Sequence, residues 1–334
     1  MTCLVVSKSY FQTAVLLFFL GMCAVGRWTI TYIYLMEFMT EYHQKVVGPL
    51  TQSLAGLVFV FSTLMFDKLT KHIVYLEVGT VTVNFILLLI CVCYMPESPK
   101  YLLSKGKGRE AKKVLRKMAR VNKCSTAEFQ DKEITLPRTL SNGALSSLWN
   151  IKDIRNNLLI LIMIWSVTSF GFYMMNFILK YLDGDIFVNT YVFGSAEFVA
   201  KMTASLILVK VGLKRLLLIA YSLTCAGVLL LALFFGSATS TNHLLLTPCL
   251  LVLTRFGLAQ AFIGAYLGAI TLIPTSHVSS AMGLCNIFAR ISTIAAPFVS
   301  EMKPPTNLYI LLCLAILVAF LSQLLSVETK PSTS

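Results

Sequence analysis

No Asp, Glu, Lys or Arg occurs between Arg155 and Lys180, and the same holds for residues 46–66, 256–289 and 304–327. An apolar run of 18 or more residues without charge is long enough to cross the hydrocarbon core of a bilayer as a helix. Nothing else in the sequence narrows the fold as sharply, because a spanning segment must satisfy its own backbone polar groups and is therefore a helix or part of a closed barrel. Nine such runs are expected, over roughly 11–36, 46–66, 73–95, 157–179, 186–208, 214–236, 244–270, 277–299 and 306–327. Only 13% of the 334 residues are charged and the mean hydropathy is +0.77. A soluble domain carries about 25% charged residues. The expected fold class is an all-α polytopic membrane protein.

The basic residues orient it. Residues 100–155 hold 14 of the 28 Lys and Arg. With that segment in the cytoplasm, 19 basic residues face inward and five outward, and Arg27, Lys201, Arg255 and Arg290 lie within spans. This is the positive-inside asymmetry, and it explains most of the net charge of +13 without nucleic acid as a partner. The expected location is a multi-pass membrane protein, plasma membrane, with the central loop and C-terminus cytoplasmic. An odd number of spans then puts the N-terminus outside. Met1–Tyr10 lacks the pattern of a cleavable signal, so the first span is expected to be its own anchor, or the chain to have lost earlier spans. The nine cysteines include no CxxC and no closely spaced extracellular set, and read as small apolar side chains in or near spans.

Three parts follow: spans over 1–95, a cytoplasmic linker over 96–155, and six spans over 156–330. The linker opens on Pro-Glu-Ser-Pro. Ser98 can cap a short helix starting at Pro99, with Gly106 and Gly108 as its end. From Glu110 to Val121, Ala111, Val114, Leu115 and Met118 repeat at helical spacing opposite Lys and Arg, the pattern of a basic amphipathic helix at the membrane surface or under a bundle. Residues 125–147 read as a tether. Enzyme signatures are absent: there is no Walker A, HExxH or GxSxG pattern and no paired metal-ligand spacing, so neither catalysis nor a cofactor is expected.

"MPESPKYLLSKGKGREAKKVLRKMARVN" (95–122) resembles the segment after the sixth span of the organic anion, organic cation and carnitine transporters, solute carrier family 22 of the major facilitator superfamily. "MIWSVTSFGFYMMNF" (163–177) is similar to that family's seventh span, "GSAEFVAKMTASLILVKVGLKR" (194–215) to its eighth, and residues 255–299 to its tenth and eleventh. The resemblance runs from about residue 11 to 330 and aligns the nine spans with family spans four to twelve. It implies a major facilitator-like bundle that moves small organic ions by alternating access between two half-bundles. Organic anions or zwitterions are the implied cargo. The chain departs from the family in lacking counterparts of the first three spans. Ile270, Thr271 and Leu272 stand where a glutamate is usual before Pro274, Val278 and Gln44 where arginines are usual, and Leu213 where the basic turn has an arginine.

Site residues follow from charge in the spans and from the resemblance together. An ionisable side chain inside a span is a functional-site hypothesis by default. Arg290 aligns with an arginine of anion and carnitine members; unliganded, it would pair with Glu197 or backbone carbonyls. Glu197 and Lys201 are one turn apart and can neutralise each other, or Lys201 can add positive potential to an anion site. Arg255 aligns with a basic family position, and Phe172 and Tyr173 with cavity aromatics. These six are the expected substrate-binding set. Arg27 is expected to snorkel or pair with Glu37. The gating set is Glu37, Lys45, Glu97, Arg109, Lys214 and Arg215, with Arg109, Lys113 or Arg116 beside Glu97. The expected partners are a small organic ion and the lipid bilayer. The alternative expectation is a non-transporting or truncated member that acts by binding, with another membrane chain completing the bundle.

Overall fold

The computed structural model describes residues 9–69, 71–123, 152–179, 185–236, 246–273 and 277–326. The 125–147 tether lies outside them. Among the described residues there is no β-strand, and nine helices are long and apolar enough to cross a membrane. They are α1 (Tyr10–Glu37), α2 (Glu41–Leu64), α3 (Ile73–Tyr94), α6 (Lys152–Ile178), α7 (Ile186–Val211), α8 (Leu213–Gly236), α9 (Leu246–Leu272), α10 (Val278–Ser300) and α11 (Thr306–Gln323). Two short helices, α4 (Pro99–Ser104) and α5 (Gly108–Val121), lie between α3 and α6. The expected spans and class are those of the structure.

The chain forms two compact units that interleave along the sequence. One takes residues 1–40 and 68–143, the other 41–67 and 144–334.

In the first unit, α1 and α3 are apolar almost all round, and α3 has no buried residue. Tyr34 Oη donates to the carbonyl of Pro96 at 2.5 Å, tying the end of α1 to the exit of α3. Ser98 caps α4 by accepting from the Tyr101 N–H at 3.3 Å, with Pro99 as the first helical residue. Gly106 takes φ +74°, a left-handed conformation that glycine adopts without a Cβ clash, and the chain turns there. Gly108 opens α5 instead of closing α4. The apolar stripe of α5 faces inward: Ala111 and Ala119 are buried, while Arg109, Lys113, Lys117 and Arg120 are exposed.

In the second unit, α2 packs along α7, α8 along α9, and α10 along α6. Lipid tails are as apolar as leucine, so association rests on close packing and interhelical hydrogen bonds. Both are visible where α2 meets α7. A Cβ on Gly56 would lie 2.8 Å from the Gly194 carbonyl oxygen, and one on Gly194 would lie 2.7 Å from Val60 Cγ2. Only glycine allows that approach. Pro49 sits inside α2 and has no N–H for the carbonyl four residues back. That carbonyl belongs to Lys45, and Ser205 Oγ of α7 donates to it at 3.1 Å. At the ends of the unit, Asn157 exchanges two hydrogen bonds with the Ser326 backbone, and Lys214 Nζ donates to the Gln323 carbonyl that closes α11. The apolar centre lies among α6, α7, α8, α9 and α11, with Met174, Phe193, Leu231 and Leu258 fully enclosed.

Candidate functional site

The second unit contains a buried charge cluster. Glu197 and Lys201, one turn apart on α7, are both 5% exposed, and Arg255 on α9 is 2% exposed. Glu197 Oε1 accepts from Lys201 Nζ at 2.6 Å and Oε2 from Arg255 Nη2 at 2.8 Å. Lys201 Nζ also donates to the Gln52 carbonyl of α2 at 3.2 Å. Arg255 Nη1 donates to Asn176 Oδ1 of α6. The Arg255 guanidinium lies 4.1 Å from the Phe172 ring centroid and 5.3 Å from that of Phe193. One carboxylate thus serves two cations and binds α7 to α9, while neutral oxygens and ring faces supply the rest. Stripping water from a charge in such surroundings costs several kcal/mol, which only a paired and hydrogen-bonded geometry offsets. The cluster keeps one positive charge in excess. Arg255 Nε and Gln52 Nε2 are buried donors without a hydrogen-bond partner among the described residues.

Arg290 presents the opposite case. It lies inside α10, exposed, with Nη1 donating to Tyr173 Oη at 3.1 Å and the guanidinium carbon 5.9 Å from the Tyr173 ring centroid. α10 is fixed beside α6 by Ser292 Oγ, which donates to the Ser166 carbonyl at 3.0 Å. The hydroxyl holds the guanidinium without cancelling its charge. Phe172 and Tyr173 are consecutive, about 100° apart around α6. One therefore meets the buried Arg255 and the other the exposed Arg290. Phe172 also packs edge-on against Phe262, with centroids 5.1 Å apart. A guanidinium open on one side, with aromatic faces beside it, can take a planar carboxylate through paired N–H groups and an apolar body by stacking.

The structure therefore brings the six expected binding residues into one unit, in two groups. Arg255 holds Glu197, and Arg290 does not. The gating residues are dispersed. Glu37 ends α1 half-buried, and Lys45 and Lys214 are half-buried in the second unit. Glu97, Arg109 and Arg215 are exposed, and Glu97 forms no ion pair with Arg109, Lys113 or Arg116. Arg27 pairs with Asn84 Oδ1 at 2.6 Å rather than with Glu37. Sequence reasoning passed over Asn84, Asn176, Gln52 and Glu77. Each is a polar residue within an apolar span, which is signal enough to mark it. Glu77 on α3 has an enclosed Oε2 without a partner among the described residues.

Among the described residues the chain is a multi-pass membrane protein of long apolar helices, with Glu197, Lys201 and Arg255 buried in its second unit. The chain belongs to the sugar (and other) transporter family, whose family model matches residues 1–333. It is 30% identical over 299 residues to solute carrier family 22 member 16 of Homo sapiens, covering 84% of this chain and 49% of that protein. It is 28% identical over 221 residues to organic cation/carnitine transporter 2 of Homo sapiens, covering 63% of this chain and 38% of that one. The resemblance to solute carrier family 22 is thereby borne out. The chain spans about half the length of relatives it matches, 49% and 57% in two of them. Among solved structures, the major facilitator proton:xylose symporter XylE, bound to 6-bromo-6-deoxy-D-glucose, superposes with a TM-score of 0.59 at 15% identity, over 86% of this chain and 65% of that one. That likeness concerns the fold alone.

Proposed function

We propose that the chain carries small organic ions, anions or zwitterions, across a membrane by alternating access, as a carrier and not a catalyst. The observation that carries this reading is Arg290: a cation inside a span, exposed, and held by a neutral hydroxyl. A charge at that depth does not face hydrocarbon at equilibrium without heavy cost. An anionic group of the cargo is its natural counter-charge, with Tyr173 and Phe172 against the organic body. Lys201, Glu197 and Arg255 supply a rigid floor with one surplus positive charge. In this reading Glu37, Lys45, Glu97, Arg109, Lys214 and Arg215 serve in gating, the central loop and C-terminus are cytoplasmic, and the membrane is the plasma membrane. Relatives named for organic cations and carnitine support an organic ion as cargo and leave its sign to Arg290. The test is uptake of labelled carboxylates by vesicles holding the purified chain. Uptake that Arg290→Ala leaves unchanged overturns the assignment.

A second reading is favoured by one observation: α3 buries none of its residues. Here the chain transports nothing and associates through α1 and α3 with another membrane chain. Cross-linking in the membrane that yields a defined hetero-complex, together with absent uptake, selects it.

A further inference from the structure

We propose that the α1–α3 pair holds an oxyanion-binding point of its own, centred on Arg27 and set by Asn84, that takes the carboxylate of a small organic solute. The proposal rests on the transport reading only in choosing an organic solute as the source of the carboxylate.

Arg27 and Asn84 each lie ten residues before the last residue of their helix. At 1.5 Å per residue that is about 15 Å from the helix end, near the middle of a hydrocarbon core about 30 Å thick. Arg27 Nη1 donates to Asn84 Oδ1 at 2.6 Å. Asn84 Nδ2 donates in turn to the Thr80 carbonyl at 2.7 Å, which fixes the amide with its oxygen towards Arg27. The guanidinium is thereby aimed, and its charge remains. A guanidinium has five N–H groups in a planar fork, and Asn84 takes one of them. The nearest carboxylate along α3 is Glu77, two turns from Asn84 and about 10 Å away along the helix axis.

A side chain on a helix leans over the turn that precedes it. For Arg27 that turn offers Cys23 and Ala24, both small and both exposed, so neither closes over the guanidinium from its own helix. Arg27 itself is exposed. Lipid tails give its donors nothing, and headgroups lie too far off at this depth. Arg255 shows what a structural arginine looks like in this chain: buried, against a carboxylate. Arg27 shares instead the arrangement of Arg290, an exposed fork on a neutral oxygen. A planar oxyanion that accepts two parallel N–H bonds completes such a fork.

The test is arginine modification on the full chain in lipid nanodiscs, with phenylglyoxal as reagent and peptide mass spectrometry as readout. Benzoate is the probe, and chloride at equal concentration is the control. Saturating benzoate is expected to slow modification of Arg27 at least tenfold where chloride does not. Asn84→Asp, which supplies an internal counter-charge, is expected to abolish that protection. An Arg27 rate indifferent to benzoate overturns the proposal, and so does an Arg27 already unreactive without it, because another group then covers the fork. Arg290 is read in the same digest. Protection at Arg27 alone removes the Arg290 assignment and leaves this proposal standing; protection at Arg290 alone does the reverse.

Discussion

Arg255 and Arg290 touch neighbouring residues of one helix, Phe172 and Tyr173, yet live in opposite surroundings. Arg255 is buried, and its charge is spent on Glu197, Asn176 and two aromatic faces. Arg290 is exposed and held by one hydroxyl. On the proposed reading, what separates a structural from a ligand-binding arginine here is the partner, not position along the span. A carboxylate partner closes the account of charge locally. A neutral partner orients the fork and leaves the counter-charge to come from elsewhere.

The sharpest way to break this contrast is to remove the shared carboxylate. Glu197→Ala leaves Lys201 and Arg255 as two buried cations with no anion. A loss of about 3–5 kcal/mol is expected, as for other buried pairs stripped of one member. It would be read as a lower unfolding midpoint of the purified chain and reduced membrane yield; an unmoved midpoint would show that the cluster is not structural. Next comes Arg290→Ala, expected to cut carboxylate uptake about tenfold or more, the scale of a lost charge-assisted hydrogen bond. Its unfolding midpoint should stay that of the unmodified chain, because an exposed charge on a neutral partner holds no packing together. A comparable fall in stability would erase the distinction. Tyr173→Phe is gentler: the ring remains and the hydroxyl goes, so apparent affinity should weaken about two- to tenfold, the scale of one neutral hydrogen bond, with protein levels unchanged. The smallest effect is ionic. Raising salt from about 0.05 to 0.5 M shortens the screening length several-fold. Apparent affinity at the exposed Arg290 should fall a few-fold, while the unfolding midpoint set by the buried cluster stays put.

The spans were legible because their signal is a long uncharged run, which tolerates errors of a few residues. The Ser98 cap and the first-turn Pro99 were legible because capping is local. The pairing of charges was only half so. Glu197 with Lys201 is a fixed one-turn relation on a single helix, and it is present. Which distant arginine completes the pair depends on how α7, α9 and α10 rotate about their axes, and one residue of rotation turns a side chain by about 100°. Arg255 won because α9 packs on α7. The clasp between Arg27 and Asn84 escaped notice for another reason: asparagine carries no charge, so a search for opposite signs steps over it. Equal distance from the helix ends would have found it. Glu77 escaped although it is charged, because the neighbouring residues of α3 are so apolar that the run still reads as one span.

The Glu197 cluster also bears on how the chain enters a membrane. Helices emerge in order, and α7 leaves the ribosome before α9 exists. At that moment Glu197 and Lys201 lie one turn apart on a single helix and can pair as they do in the folded chain, so the middle of α7 can partition into lipid without net charge, Lys210 lying in its last turn. Arg255 arrives later, and its cost of entry is met by a carboxylate already in place with one oxygen free. An inverted order of synthesis, with α9 first, would strand the arginine without a counter-ion. The sequence of the helices is in that sense part of the electrostatics.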